Sequence, residues 1–523
     1  MAEAEDGEHA MVLVEHAMVL VRHASGKAMR ADGGDGEHTI VPVKRASSTA
    51  VRADAGADQL NYNVVATSSF KAKAVCEGPR VNSTSAGFTN GVPVTRPHGP
   101  CSAAAAAAGA GSSEPSLVDA LRWDQQRASY IQRMLSVSVN ASMPPKLPPK
   151  SPTEKSKLKV ASTDPVSEFH PGTPKKKKNK SSQLSIDPAA TDDGGSAGEQ
   201  TMVLDTASVF PWLQCAPCPV PPCHPQADTL YDPALSSTSG TFSCNSSACR
   251  QLGPFANGCA NNQCQYRVRY PDGSTTMGTY VSDVMTLTPT RMISKFQFGC
   301  SHFAQGRSIN TLTVGTMGLG SGSESLVSQG KGSYGNAFSY CIPPTASTTG
   351  FFLLGVPPAS SSRYVVTPMV KGKLNPALYV VRLQAITVAG QQLSVPPTIF
   401  AAGSVMDSRA PITRLPPTAY QALRSAFRSR MTMYRAAPPK EHLDTCYDFT
   451  GVSSIRLPKI ALVFDRNAAV ELDPSGILFD GCLAFTSTSD DRDTGIIGNV
   501  QQRTIEVVYD VGGGAMAFRR AAC

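Results

Sequence analysis

The sequence predicts a mainly β, two-lobed protein behind a mostly disordered N-terminal region. Three observations point there. The chain has 523 residues, more than one typical domain holds. It carries 43 glycines and 40 prolines against 17% charged residues, which suits a loop-rich β protein with a disordered portion. Composition also changes near residue 200, from low-complexity sequence to short apolar runs bounded by Gly, Pro or Asp.

Residues 1–114 form the first segment. It holds the tandem repeat "EHAMVLVEHAMVLV" and the tract "AAAAAAGAGSS". Such sequence buries too little apolar surface to offset chain entropy, so disorder is expected over most of it. Residues 115–140 are the exception and predict a helix. Ser116 and Asp119 fit a capping arrangement, and Leu117, Leu121, Ala128 and Ile131 fall on one face. Residues 141–200 read as a Pro/Lys/Ser-rich linker. Its "KKKKNK" run supplies part of the net charge of +8. No aromatic residues interleave with the lysines, so a solvated linker is favoured over a nucleic-acid site. No run approaches the ~18 apolar residues of a membrane helix. The opening residues, acidic first and with a histidine inside the apolar stretch, make a poor signal peptide.

From residue 201 the signal is mainly strand: "TMVLD", "YRVRY", "KFQFG", "YVVRLQAITV", "SVMD", "KIALVF" and "IEVVYDV". One helix follows "LPPTAYQALRSAFRSRM". Thr418 is its expected cap, and Tyr420, Leu423, Phe427 and Met431 line its buried face. The expected lobes are residues 201–345 and 346–523.

Of 14 cysteines, 12 lie after residue 200. An even, dense set in a Gly-rich β sequence reads as a disulfide framework from an oxidising compartment. Zinc at Cys215, Cys218, Cys223 and His224 is the weaker alternative, because a second pair at finger-like spacing is missing. Sequons at Asn82, Asn140, Asn179 and Asn245 agree with secretion.

Chemistry enters with two similar stretches, "TMVLDTAS" and "SVMDSRA". Each is an apolar strand ending in Asp followed by Thr or Ser, one in each half of the β region. Either aspartate alone reads as a turn residue. As a pair they predict facing carboxylates that share a proton, because two such groups do not both ionise cheaply. One then activates a water while the other protonates the leaving group.

With these loops, "CQYRVRYPDGSTTMGTYVSDVMTL", "TMGLGSGSESLVSQ", "GNAFSYC", "LDTCYDF", "GCLAF" and "GIIGNVQQRTIEVVYDVGGGAMAF" follow in order. The region from about 201 to 523 resembles the pepsin-type aspartic proteases of the plant nepenthesin-like branch. The resemblance implies a bilobal pepsin-like fold. It implies Asp205 and Asp407 as the catalytic pair, with Thr206, Ser208 and Ser408 as loop support and Tyr270 and Trp212 at the flap and cleft. It also implies six disulfides, Cys215–Cys218, Cys223–Cys300, Cys244–Cys264, Cys249–Cys259, Cys341–Cys523 and Cys446–Cys482. It implies a propeptide upstream, a protein or peptide substrate, no cofactor or metal, a monomer, and an extracellular or vacuolar location.

The departures carry expectations of their own. Ala207 and Arg409 stand where the family has glycine, and Ala410 stands where it has a hydroxyl residue. A side chain at Arg409 strains the loop if the glycine there adopts a left-handed conformation. Its cation would also favour ionised carboxylates. Pro271 after Tyr270 stiffens the flap base. The family's strand shortly before the first aspartate has no counterpart in "DPAATDDGGSAGEQTMVLD". These changes make an inactive, xylanase-inhibitor-like binding protein the alternative to an active endopeptidase.

Overall fold

A computed structural model describes residues 200–523 apart from short stretches at 219–222, 225, 227, 271–272, 289–290, 307–308, 310–312, 356–362 and 371–374. Before residue 200 it describes 18–20, 61–71, 73, 75–78, 91–96, 99–102 and 116–140. Pro271, the lysine run and nearly all of the linker lie outside the described residues, as do Asn82 and Asn179.

The alternating β-branched and aromatic runs form strands wherever one face has a core to meet. The strands that matter for the site are, in chain order, β1 (Met18–Leu20), β2 (Tyr62–Ala66), β3 (Val92–Thr95), β4 (Thr201–Asp205), β5 (Trp212–Gln214), β6 (Gln263–Arg269), β7 (Thr275–Thr288), β8 (Arg291–Gln305), β9 (Gly315–Gly318), β10 (Ala337–Cys341), β11 (Gly350–Leu354), β12 (Ser404–Met406), β13 (Thr413–Leu415), β14 (Ser454–Pro458), β15 (Gly495–Ile497) and β16 (Glu506–Asp510). The helices are α1 (Leu117–Asn140) and α2 (Pro417–Arg428).

One large sheet runs through the molecule. Its order is Val365–Pro368, Ala515–Arg519, β16, β10, β11, β3, β1, β4, β9, β5, β8, β7, β6 and Ala256–Ala260. A second, five-stranded sheet orders as Val380–Val381, β12, β15, β13 and Phe485–Ser487. The two contain the same local pattern. Parallel pairing sets β9 beside β4, and β9 then runs antiparallel to β5. Parallel pairing likewise sets β15 beside β12, and β15 runs antiparallel to β13. The molecule is thus mainly β and two-lobed, and each lobe repeats one arrangement around one aspartate.

Two motif glycines make this repeat possible. A Cβ on Gly318 would lie 2.7 Å from the Val209 backbone, and one on Gly498 would lie 2.5 Å from the Pro411 carbonyl. Each glycine sits where a strand end passes directly over the loop after an aspartate, so no side chain fits there. The core between the lobes is continuous: Leu204, Met317, Phe338, Tyr379, Met406 and Tyr509 belong to one buried cluster.

The region before residue 115 supplies three strands that its composition did not reveal. β1 pairs antiparallel with both β3 and β4, and β3 pairs antiparallel with β11. The place before β4 that the sequence leaves empty is therefore filled from far upstream. β2 pairs with β14 of the C-terminal lobe over five residues.

α1 begins as its sequence directs. The Asp119 amide donates to Ser116 Oγ at 3.2 Å and Ser116 Oγ donates to the Asp119 carboxylate at 2.7 Å. α2 differs from its expected cap. Its N-cap position is Pro416, which has no side-chain donor or acceptor. Asp491 instead accepts from the Thr418 amide at 2.8 Å and from its hydroxyl at 2.6 Å, a carboxylate brought in by tertiary structure.

The disulfides correct four expected pairs. Cys341–Cys523 and Cys446–Cys482 are joined as the resemblance implied. The others are Cys215–Cys300, Cys218–Cys223, Cys244–Cys259 and Cys249–Cys264, and a seventh joins Cys76 to Cys101. Strand pairing decides the first exchange. β5 and β8 run parallel with Leu213 opposite Cys300, and the Cys215 amide donates to the Ser301 carbonyl. Cys215 is thereby beside Cys300, and Cys218 is left to close a short loop with Cys223. His224 sits near them but bonds the Thr313 carbonyl at 3.0 Å, and burial lowers its pKa.

Candidate active site

β4 and β12 each deliver an aspartate at their C-terminal end, and both carboxylates are fully buried. The loops that follow lock the two lobes together. The Thr206 amide donates to Ser408 Oγ at 3.1 Å, and the Ser408 amide donates to Thr206 Oγ1 at 3.0 Å. Thr206 Oγ1 donates to the Met406 carbonyl, and Ser408 Oγ donates to the Leu204 carbonyl. This reciprocal lattice fixes the position of one aspartate relative to the other.

Backbone amides orient the acids. The Ala207 amide donates to Asp205 Oδ1 at 2.9 Å. The Arg409 and Ala410 amides donate to Asp407 Oδ1 at 2.7 and 2.6 Å. The loops therefore do the amide work a glycine there would do. Neither Ala207 nor Arg409 is among the residues with left-handed backbone, so the strain expected at Arg409 is not present. The Ser208 amide donates to the Asp205 carbonyl. Trp212 Nε1 donates to Tyr270 Oη at 2.8 Å, which ties the turn after β6 to β5, and burial raises the pKa of Tyr270.

What the sequence did not single out is the group lying between the acids. α1 crosses the cleft, and its Arg127 guanidinium touches both carboxylates. Nη2 donates to Asp205 Oδ1 at 2.5 Å and to Asp407 Oδ2 at 2.8 Å, Nε donates to Asp407 Oδ2 at 3.1 Å, and Nη1 donates to Asp205 Oδ2 at 3.2 Å. Because one nitrogen reaches both acids, their oxygens are no further apart than those two short bonds allow. Arg409 Nη1 also donates to Asp205 Oδ2 at 3.2 Å, and its guanidinium stacks over the Trp123 ring of α1 at 5.1 Å.

Two cations thus neutralise two buried anions. Burial alone pushes the Asp205 carboxyl up, but Arg127 and Arg409 outweigh it and hold it below the ordinary carboxylate value. Arg127 itself is opposed by burial and raised by Asp205 and Asp407, so it stays charged. Burial raises the neighbouring Tyr130 phenol to about 12.

α1 is held at a second ionic point. Asp124, also buried, accepts from the Ile412 amide at 3.1 Å and from Arg414 Nη2, with His442 Nε2 3.0 Å away. Its apolar stripe packs on the loops: Ala128, Ile131 and Leu135 share a buried cluster with Ala207, Ala410, Val405 and Ile496. All three altered loop positions therefore face α1. The signal for Arg127 and Asp124 was present. Leu121, Asp124, Arg127, Ala128 and Ile131 share one helical spacing, and two charges inside an apolar stripe call for buried partners.

Comparison with known proteins finds relatives over most of the described region. Residues 149–356 match the family model described as the xylanase inhibitor N-terminal domain, and residues 378–520 match that of the xylanase inhibitor C-terminal domain. An aspartyl protease family protein of Arabidopsis thaliana is 35% identical over 450 residues, covering 82% of this chain and 86% of that protein. The aspartic proteinase nepenthesin-2 of Nepenthes gracilis is 33% identical over 344 residues, covering 61% and 74%. Among solved structures, conglutin gamma from lupine seeds matches at 20% identity with a TM-score of 0.49, covering 61% of this chain and 87% of that one.

Proposed function

Because the chain belongs to the aspartyl protease family, we propose that Asp205 and Asp407 form an acid-pH peptide-hydrolysing dyad, kept latent by the Arg127 guanidinium between them. The observation that carries this reading is the placement of one cation on both carboxylates. A dyad works when the acids share one proton. The ionised acid takes a proton from a water as its oxygen attacks the scissile carbonyl, and the protonated acid gives its proton to the departing nitrogen. With Arg127 in place both acids are satisfied as anions, and the space for a water and a peptide is filled by α1. The substrate is a protein or peptide chain, with Tyr270 and Trp212 on the cleft wall. The disulfides fit an extracellular or vacuolar site of action, and we take the protein to act as a monomer.

A second reading, an inactive member that binds rather than cleaves, is favoured by Arg409. It contributes a cation from the body itself, so displacing α1 still leaves Asp205 paired.

Cleavage of a denatured protein substrate by the full chain at acid pH, with and without a statine-type transition-state analogue, separates the two. Wild type should cleave weakly and Asp205→Asn not at all. Arg409→Gly combined with Ala410→Thr should raise turnover by orders of magnitude. A folded double variant that stays inactive when Arg127→Ala is added would favour the binding reading.

A further inference from the structure

A segment that blocks a cleft and is later discarded should leave behind a core whose strands are complete. Here they are not. β3 and β1 lie side by side in the middle of the large sheet, between β11 and β4. Val92 and Val94 of β3 are buried in the main core with Phe352 and Leu204. Removing both strands would split the sheet and strip the ladder partners from Gly350–Phe352 and Thr201–Val203, which are buried on both sides of the gap. An open edge of that kind is costly and prone to association.

The attachment is not confined to that sheet. β2 adds five ladder residues to β14, and the Thr67 amide extends the pairing to the Ser453 carbonyl. The loop carrying Cys76 bonds the 345–349 turn through the Glu77 amide to the Ser347 carbonyl and the Thr349 amide to the Gly78 carbonyl. Gly99 passes so close to Ala346 that a Cβ there would lie 2.3 Å from its side chain. The residues just before β4, "DPAATDDGGSAGE", contain no apolar alternation that could supply a replacement strand. The seven disulfides account for all 14 cysteines, and none crosses residue 200, so the attachment is non-covalent apart from the chain itself.

We infer that β1, β2 and β3 are a permanent part of the folded protein, retained after any cleavage in the 141–199 linker. α1 is joined to the site both by ionic contacts and by its buried apolar stripe. β1, β2 and β3 are joined by backbone ladders, and β3 by apolar burial as well, which acid leaves in place. The inference concerns the strands and stands whether or not the dyad hydrolyses peptides.

The test is to insert a site-specific protease sequence between Val160 and Ala161 of the full chain, cut it, and run native size-exclusion chromatography at pH 7 and at pH 4. Both fragments should co-elute at the mass of the uncut chain at both pH values, while a denaturing non-reducing gel separates them. In parallel, residues 161–523 produced alone should fail to give a soluble monomer, and refolding with residues 1–160 added in trans should restore one. Separate elution of the fragments, with the larger remaining a folded monomer, would overturn the inference. So would a soluble, correctly disulfide-bonded 161–523 made without its partner. Both readouts report association, so loss of hydrolytic activity does not touch them.

Discussion

At Asp205 the balance of charge decides when the site can work. Burial raises its carboxyl and the Arg127 and Arg409 guanidiniums lower it, with the cations prevailing. A folded-state pKa below the unfolded value of about 3.9 means the contribution to stability is complete above that value and is lost as pH falls through the lower one. Latency should therefore end only below about pH 4. Arg127→Ala removes a cation that touches both acids, so the pH at which substrate cleavage begins should rise, read from a pH–activity profile of the full chain. The same change leaves two buried carboxylates with fewer partners and should cost about 3–5 kcal/mol at pH 7, read by chemical denaturation. The two aspartates were legible as a pair because each ends an apolar strand. The spacing of Arg127 marked it as a charge needing a buried partner, but nothing in the linear sequence says that the partners are two aspartates on loops far downstream of it.

Helices and their ends show where local rules suffice. Ser116 and Asp119 start α1 by themselves, and the sequence places that start correctly. α2 begins on two prolines and borrows Asp491 from a loop 73 residues away in the chain. Its buried face was readable from spacing alone, but its cap depends on a contact no short window contains. Asp491→Ala should cost about 1 kcal/mol, measured as a shift in the denaturation midpoint. The anchoring of α1 is larger in scale. Asp124→Ala leaves the buried Arg414 without its carboxylate, at a cost of about 3–5 kcal/mol. Hydrogen exchange of the α1 amides should then accelerate by at least about a hundredfold, while β3 amides keep their protection.

Across the whole molecule the disulfides record how far sequence reasoning reaches. Pairs whose cysteines stand apart in the chain, Cys341–Cys523 and Cys446–Cys482, followed from resemblance. Within the crowded stretch from Cys215 to Cys300, strand register chose between neighbours, and register is fixed only when the sheet forms. Replacing both Cys341 and Cys523 by Ser should cost about 5 kcal/mol, because that bond closes the longest loop, with partners 182 residues apart. Guanidinium unfolding of the variant is the measurement. β1, finally, comes from a heptad written twice. "EHAMVLV" at residues 8–14 is followed at once by an identical copy at 15–21, and only three residues of the second copy are needed as a strand. An identical copy should fit the same slot in the sheet. Deleting residues 8–14, or replacing Val19 by Pro with the first copy intact, should leave a folded protein. Deleting residues 8–21 should not. Duplication at this point should let a strand essential to the sheet tolerate damage that a single copy would not survive.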